Sequence, residues 1–384
     1  MLAPVTSAQR LIAVSGILTF AFLGAIQALY GPLLPGMRVT FGVDASEVGL
    51  IFTAHGLGAL LGIFLPSGVN APVVASRWLG IASTLLLLGA GALLFAPVWP
   101  AMLAAAFTLA MGFGIHVVRL NSLFVEGFGA RGMTMSLLIN AAFSVGSILG
   151  PLILALSGEP SRGIFGAVAI AALALLPVSL LTDRRISSPP AHVADGSADR
   201  PRKSERPRAV LVAFVLLMCL TSGAENSIGG WTTTLALARG YTYPEAANLT
   251  ALFFGGIFLG RLLAAGFAHR IQAGVIVVGA ITAKAALLLI AATTAAGPIA
   301  FALAGIAIAP IFSTTLVWVG ASLPTSQHVS ALVIGGALLG AALFPAMVGR
   351  VIGEFGPRSA PPAILALALL SLAVAVWIYV ARGR

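Results

Sequence analysis

The chain has 384 residues and a formal net charge of +10, with 59% hydrophobic and only 8% charged residues. Soluble globular proteins carry about 25% charged residues, so this composition excludes a soluble enzyme, a nucleic-acid-binding protein and a disordered protein. A single cysteine, Cys219, excludes an internal disulfide and a cysteine-based metal site.

Continuous apolar segments of about 20 residues or more predict membrane-spanning helices rather than a barrel. Residues 1–9 are short and lack a cleavage site, so the first segment is expected to be retained rather than removed as a signal peptide. The predicted fold class is an all-α membrane protein. Its twelve spans, numbered in chain order, are 10–35, 46–69, 74–96, 98–126, 132–157, 162–182, 209–238, 244–268, 272–294, 297–322, 327–353 and 360–381.

Residues 183–208 are rich in Ser, Pro, Gly, Asp and Arg, which predicts a solvated linker. The chain then divides into an N-terminal six-helix bundle (1–182), the linker (183–208) and a C-terminal six-helix bundle (209–384). The side with both termini and the linker carries 13 Lys and Arg residues and the other side carries 5. The positive-inside rule therefore places both termini in the cytoplasm, and we expect a multi-pass protein of the cell membrane, the bacterial inner membrane in particular.

The two halves repeat at a nearly constant spacing. Shifting the sequence by 198 positions places Gln27 on Glu225, and shifting it by 194 aligns span 5 with span 11. Repeated halves around a central site are typical of a transporter. The matched positions in spans 5 and 11 are Ser136 with Ser330, Leu138 with Leu332, Gly146 with Gly340 and Pro151 with Pro345.

Three stretches carry a family resemblance: Gly31-Pro32-Leu33-Leu34-Pro35, residues 146–151 (Gly-Ser-Ile-Leu-Gly-Pro) and residues 260–270 at the end of span 8. With them the chain resembles the major facilitator superfamily over essentially its whole length. Residues 223–231 and 305–312 are similar to its fucose/glucose-type symporter branch. The resemblance implies two pseudo-symmetric six-helix bundles, a small-molecule substrate, transport rather than catalysis, and a monomer. Residues 260–270 look like the family's cytoplasmic gate motif, which implies gate roles for Arg77, Arg261 and Arg270.

The chain departs from the family pattern at four places. His269 stands where the gate motif usually has an acid, and residues 66–72 lack the Asp and Arg of the motif's partner copy. The usual charge network is therefore not expected to latch the inner gate. The fucose-type pattern also has acids in spans 1 and 4, where this chain has Gln27 and Arg119.

Glu225 is the one acid that lies deep within a predicted span, about 24 Å from the cytoplasmic edge. Gln27 has a comparable position in span 1. Each precedes glycines or Gly-Pro, where a helix can break and line a cavity, so spans 1 and 7 are expected to be broken. Ionisable groups at this depth are usually functional. Glu225 is predicted to carry a proton or to accept hydrogen bonds from the substrate; the alternative is a structural acid tied to a neighbouring helix.

Arg119, about 12 Å deep in span 4, is predicted to bind an anionic group or hydroxyls of the substrate. The alternative is an interdomain ion pair, or snorkelling to the surface. His116, on the same helical face, and His55 are predicted to share proton coupling with Glu225, with a packing histidine as the alternative. Lys284 is expected to snorkel or to make a structural contact outside the cavity.

Amide and aromatic side chains complete the predicted substrate site, although such groups also join helices or fill bundle cores. The predicted substrate-binding residues are Gln27, Tyr30, Arg119, Asn121, Asn140, Glu225, Asn226, Trp231 and Trp318, with Phe253 and Phe254 as further aromatic candidates.

These features favour a secondary active transporter that moves a small polar solute, a sugar or an organic anion, by proton-coupled alternating access. The first alternative is proton-driven efflux of a drug or metabolite, because residues 146–151 look like part of an antiporter motif. A polytopic membrane enzyme would need a cluster of acids or metal ligands, and a channel would need a ring of like groups. The sequence indicates neither. No phosphate-binding loop is present, and no cofactor, metal or nucleic-acid partner is expected.

Overall fold

The computed structural model describes residues 7–68, 77–128, 131–185, 206–267, 270–323 and 327–382. Within these ranges the regular structure is entirely helical. Twelve helical segments are long and apolar enough to cross a membrane. The predicted fold class and the predicted number of spans are therefore confirmed.

The first half contains six long helices. A single short helical turn, Ala45–Val48, precedes the second of them. Their bounds are α1 Ser7–Phe41, α2 Leu50–Gly68, α3 Trp78–Phe95, α4 Trp99–Gly127, α5 Gly132–Ser157 and α6 Ile164–Arg185.

The second half also contains six, of which one is interrupted. A 3₁₀ turn, Pro357–Ser359, precedes the last. The bounds are α7 Arg206–Ala238, α8 Tyr243–Phe267, α9 Ala273–Thr293, α10 in two segments (Gly297–Ile308 and Ile311–Ser322), α11 Gln327–Phe355 and α12 Ala360–Arg382. Helices α6 and α7 thus extend into both ends of the predicted linker, and residues 186–205 of that linker lie outside the described residues.

The helix ends follow local chemistry. Proline stands in the first turn of α4 and of the first α10 segment, where its missing N–H costs no hydrogen bond. Helix α5 ends at Gly158, whose φ of 80° is the left-handed conformation that glycine adopts without strain.

Asp44 caps the short turn before α2 by a reciprocal pair of hydrogen bonds. Its carboxylate accepts the backbone N–H of Glu47 at 2.9 Å, and the Glu47 carboxylate accepts the backbone N–H of Asp44 at 3.1 Å. The hydroxyl of Ser46 donates to the same Asp44 carboxylate at 2.8 Å. Hydrogen bonds from Glu47 and Ser46 stabilise the ionised form, so the pKa of Asp44 is lowered.

The helices of the two halves pack in the same pairs. The first and fifth helices of each half contact each other (α1 with α5, α7 with α11), and so do the second and fourth. The third helix packs against the fourth and the sixth in both halves. The halves meet through α2 with α11, α5 with α8, and α1 with α7. A region between the halves is thereby enclosed by helices from both.

The close contacts of the first and fifth helices carry the sequence repeat into the packing. A Cβ on Gly146 of α5 would strike the carbonyl oxygen of Ala21 on α1. A Cβ on Gly340 of α11 would strike the carbonyl oxygen of Cys219 on α7. Because membrane helices approach most closely at small residues, these two glycines hold equivalent helix pairs together. The division into residues 1–182, 183–208 and 209–384 remains a prediction.

The predicted breaks in spans 1 and 7 are wrong. Helix α1 continues through Gly31, Pro32 and Pro35, and α7 continues through Gly229 and Gly230. Neighbouring helices and side chains let membrane helices tolerate such residues. The glycines serve close packing, since a Cβ on Gly31 would lie 2.6 Å from the Gly229 carbonyl oxygen. The interruption falls instead at Ala309-Pro310 in α10.

Candidate functional site

A cavity of about 110 Å³ lies between the two halves. Helices α1, α2 and α4 line it from the first half, and α7, α8 and α11 from the second. Its wall contains five aromatic residues and four further polar side chains. The aromatic residues are Tyr30, Phe52, Phe113, Phe253 and Phe254, and the polar ones are Gln27, His55, Glu225 and Asn226.

Two amides bridge the halves across the cavity. The Nε2 atom of Gln27 on α1 donates to the Oδ1 atom of Asn226 on α7 at 3.5 Å. Asn226 is also held by its own helix, because its Nδ2 atom donates to the carbonyl oxygen of Ser222 at 2.9 Å. The long bond between the amides is weak, so a ligand with hydroxyl or amide groups can replace it.

Tyr30 and His55 form the polar part of the first-half wall. The Nδ1 atom of His55 lies 3.1 Å from the hydroxyl of Tyr30. The His55 ring stands edge-on to Tyr30 and to Phe113, with ring centres 5.1 Å and 5.3 Å apart. These contacts fix the ring of His55 while leaving it part of the cavity surface.

The aromatic wall continues around the cavity. Phe52 lies against Tyr30, with ring centres 6.2 Å apart, and Phe253 lies against Phe254 at 5.2 Å. Such offset and edge-on arrangements are the favoured ones for aromatic pairs. Apolar ring faces with a few converging hydrogen-bonding groups are the usual composition of a small-molecule site.

Glu225 is the only carboxylate among the residues that line the cavity. Two cations lie within electrostatic range of it: Arg261 on α8 and Lys284 on α9. Arg261 is exposed, whereas Lys284 is fully buried. Of the two expectations for Lys284, snorkelling to the surface is wrong, because the side chain is fully buried; the structural contact stays a prediction.

Trp231 and Trp318 lie outside the cavity lining. Trp231 is fully buried behind Phe52, and its Nε1 atom donates to the Pro345 carbonyl oxygen at 2.9 Å, which ties α7 to α11. Trp318 packs against Phe214, with ring centres 5.2 Å apart, in a separate apolar cluster of the second half.

Asn121 and Asn140 form a polar strip on α4 and α5. The Nδ2 atom of Asn140 donates to the Oδ1 atom of Asn121 at 3.4 Å, and Asn121 donates to the Val117 carbonyl oxygen at 2.9 Å. Arg119, on the same part of α4, is partly buried. None of the three is among the residues that line the cavity.

His116 belongs to a buried network in the first half. Its Nε2 atom lies 3.2 Å from the Ser83 hydroxyl on α3, and that hydroxyl lies 2.8 Å from the Ser179 hydroxyl on α6. The Nδ1 atom of His116 lies 3.0 Å from the carbonyl oxygen of Gly112. The structure therefore places His116 among α3, α4 and α6, and it is not among the residues that line the cavity.

The predicted gate residues have different surroundings. Arg261 reaches across the halves, and its Nη1 atom donates to the hydroxyl of Ser144 on α5 at 3.1 Å. Arg77 is exposed just before α3, and Arg270 is exposed just before α9. His269 and residues 69–76 of the partner motif lie outside the described residues.

The cavity also contains residues that the sequence did not predict, above all Phe52 and Phe113. Phe52 stands three residues before His55, so the shared helical face was a usable signal. Phe113 carried none, since phenylalanine is equally common on faces that contact lipid. Among the described residues, no group of three or more His, Cys, Asp or Glu side chains could hold a metal ion.

Twelve membrane-crossing helices, packed as two similar sets around a polar and aromatic cavity, define a carrier architecture. The Major Facilitator Superfamily model matches residues 16–331. The chain belongs to this family, and it is a membrane transporter.

The human "Sodium-dependent glucose transporter 1" is 23% identical over 376 residues, which cover 88% of this chain and 73% of the human protein. Two solved structures show the same fold. The nucleoside transporter NupG has a TM-score of 0.69 and 18% identity, over 98% of this chain and 99% of that one. The E. coli fucose:proton symporter has a TM-score of 0.61 and 19% identity, over 95% and 98%. The expected family is confirmed, and both sugar transporters fit the branch that the sequence resembles.

Proposed function

We propose that this transporter moves a small, neutral, polyhydroxylated solute, with sugars as the leading class, by alternating access coupled to a cation, most simply a proton. The observation that best supports this proposal is the composition of the cavity wall. Gln27, Asn226 and Glu225 converge on a space walled by aromatic rings. Amides and a carboxylate suit the hydroxyls of a sugar, and aromatic faces suit its apolar C–H surface.

The size of the cavity supports a moving mechanism. A cavity of about 110 Å³ is small beside the ~300–1,000 Å³ that is usual for small-molecule sites. A ring-sized solute would require the halves to move apart. Contacts of Gly31 with Gly229 and of Thr53 with Ala342 join the halves at the end of the cavity away from the chain termini. With cytoplasmic termini in a cell membrane, as we propose, that end faces outward.

Transport by purified protein in proteoliposomes tests this proposal. D-glucose, L-fucose and uridine serve as probes, each with and without an imposed proton or sodium gradient. These probes are chosen because the similar proteins are named as glucose, nucleoside and fucose transporters. We expect gradient-driven accumulation of at least one of them. Uptake that no gradient stimulates would contradict cation coupling.

Glu225→Gln separates coupling from binding. We expect this variant to lose gradient-driven accumulation while counterflow, which needs no net cation movement, persists. Glu354→Gln, an exposed acid near the end of α11, is the matched control and should retain both activities. Normal accumulation by Glu225→Gln would show that Glu225 is structural.

The organic-anion alternative depends on Arg119. The efflux alternative depends on the likeness of residues 146–151 to an antiporter motif and on the aromatic wall of the cavity. Arg119→Ala should weaken binding chiefly for anionic ligands if that residue binds substrate. Equal loss for neutral and anionic ligands would assign Arg119 to an interdomain ion pair. Binding of amphiphilic cations in a thermal-shift screen, with none of sugars or uridine, would instead favour efflux.

A further inference from the structure

Lys284 is a buried cation that the proposed binding site does not use. It lies near the middle of α9, and its side chain is fully buried. Its ammonium nitrogen makes no hydrogen bond within the described part of the chain. Holding an isolated ammonium in an apolar interior costs several kcal/mol, so a charge of this kind needs a compensating partner.

Within the described residues, the helices that pack most closely against α9 carry no acid and lead to one on α7. α9 contacts α10 and α12. The two α10 segments contain no ionisable residue, and α12 has only Tyr379 and Arg382, both in its last turn. Both helices also pack against α7, which carries Glu225. Glu225 is the one acid in the sequence of α7, and its charge is within electrostatic range of Lys284.

The carboxylate of Glu225 has more than one possible partner. From α8 it faces Arg261, and across the cavity it faces His55 of α2 and Tyr30 of α1. Arg261 is exposed and already donates to Ser144 on the other half, so water and Ser144 can stabilise its charge without Glu225. Among the described residues, Lys284 has no such alternative hydrogen-bond partner. Its flexible four-carbon stem carries a compact charge that remains inside the protein.

We propose that Lys284 is the internal counter-ion of Glu225, so that the cavity carboxylate and the buried ammonium form one charge-neutral unit. Lys284 is thus a positioning residue, which holds Glu225 ionised in the absence of an external cation. The role of this pair in transport rests on the proposed function. A charge-neutral pair suits a neutral solute, and a coupling cation that binds Glu225 has to compete with Lys284.

The thermal stability of the full-length purified protein, measured from acidic to alkaline pH, tests the pairing without any substrate. Lys284→Met leaves Glu225 alone, and its stability relative to wild type should fall as the pH rises and the carboxylate ionises. Glu225→Gln leaves Lys284 alone, and its relative stability should rise with pH as the ammonium loses its proton. The two variants therefore have opposite slopes of Tm against pH.

The double variant provides the decisive comparison. Breaking a buried pair is costly, whereas replacing both partners is often neutral. Glu225→Gln with Lys284→Met should therefore lose less stability than the sum of the two single losses, and it should lack both slopes. Lys284→Arg keeps the charge and should behave more like wild type than Lys284→Met. The exposed residues Arg350 and Glu354 of α11 provide a control pair, whose variants should leave the pH profile unchanged.

Additive losses in the double variant, or single variants with the wild-type slope, would overturn the pairing. If Lys284→Met alone does not fold, recovery of folded protein in the double variant supports the proposal, and failure to recover contradicts it. The stability test and the transport assays are independent of each other. A protein that transports neither sugars nor uridine can still show this pattern of stability, so failure of the proposed function would not contradict the pairing.

Discussion

A methyl group on Gly31 of α1 would lie 2.6 Å from the carbonyl oxygen of Gly229 on α7, closer than real side chains approach an oxygen. The two backbones therefore touch beside the cavity, at the end away from the termini. Because neither backbone can yield locally, any added side chain has to push the halves apart at this end.

Gly31→Ala should accordingly destabilise the conformation seen here, by about 1–3 kcal/mol if it resembles other overpacked positions. A membrane-impermeant maleimide, reacting with cysteine introduced at Gln27 in a Cys219→Ser background, measures access to the cavity from each side. We expect faster labelling from the side away from the termini, where Gly31 and Gly229 touch in this structure. Gly91→Ala on α3 is the control, since a Cβ there meets no atom within 4 Å. Equal labelling of the two variants would contradict the assignment.

Thr53→Val tests the brace between α2 and α11. The hydroxyl of Thr53 donates to the Ala342 carbonyl oxygen at 2.7 Å, across the halves. Losing this bond should cost about 0.5–1.5 kcal/mol and lower the Tm in detergent. Thr282→Val is the matched control, because Thr282 is exposed and bonds only to Val278 of its own helix. If both variants lower the Tm equally, the effect belongs to threonine in general.

Ser83→Ala separates the packing role of His116 from proton coupling. The change leaves the Nε2 atom of His116 and the hydroxyl of Ser179 without the Ser83 hydroxyl, which should cost about 1–3 kcal/mol. We expect a lower Tm with an unchanged ratio of protons to solute transported. Ser371→Ala is the control, a buried serine that bonds to Ala368 of its own helix. A changed ratio of protons to solute would indicate that His116 takes part in proton coupling.

Asp44→Ala should remove a stabilising contribution that depends on pH. The hydrogen bonds from Glu47 and Ser46 lower the pKa of Asp44 in the folded state. A carboxyl of this kind stabilises the protein above its unfolded pKa of about 3.9, and the benefit disappears as the pH falls through the lower folded value. The Tm difference between wild type and variant should therefore be full at neutral pH and shrink in acid. A difference that is constant with pH would rule out this explanation.

The spans were predictable because the signal for each one, a continuous apolar stretch, lies within its own residues. The repeat was predictable too, since Gly146 and Gly340 serve the same packing contact. The interruption of α10 at Pro310 was not, because Pro32 gives the same local signal within an unbroken helix. Whether a membrane helix bends, continues or breaks at proline depends on its neighbours, which a single sequence does not specify.

The candidate site was partly predictable for a similar reason. Gln27, Glu225 and Asn226 stand out as polar groups in apolar surroundings, and all three line the cavity. His116 and Trp318 stand out equally, yet they lie among packed helices. The rotation of a helix about its own axis decides which of these faces a cavity, and that rotation is fixed by contacts between helices that are distant in the chain.

The matching contacts of Gly146 with Ala21 and of Gly340 with Cys219 have an evolutionary consequence. Most other side chains differ between the two bundles, whereas both retain glycine at this position, where no larger residue fits. Such a pattern is expected if an ancestral gene was duplicated and fused.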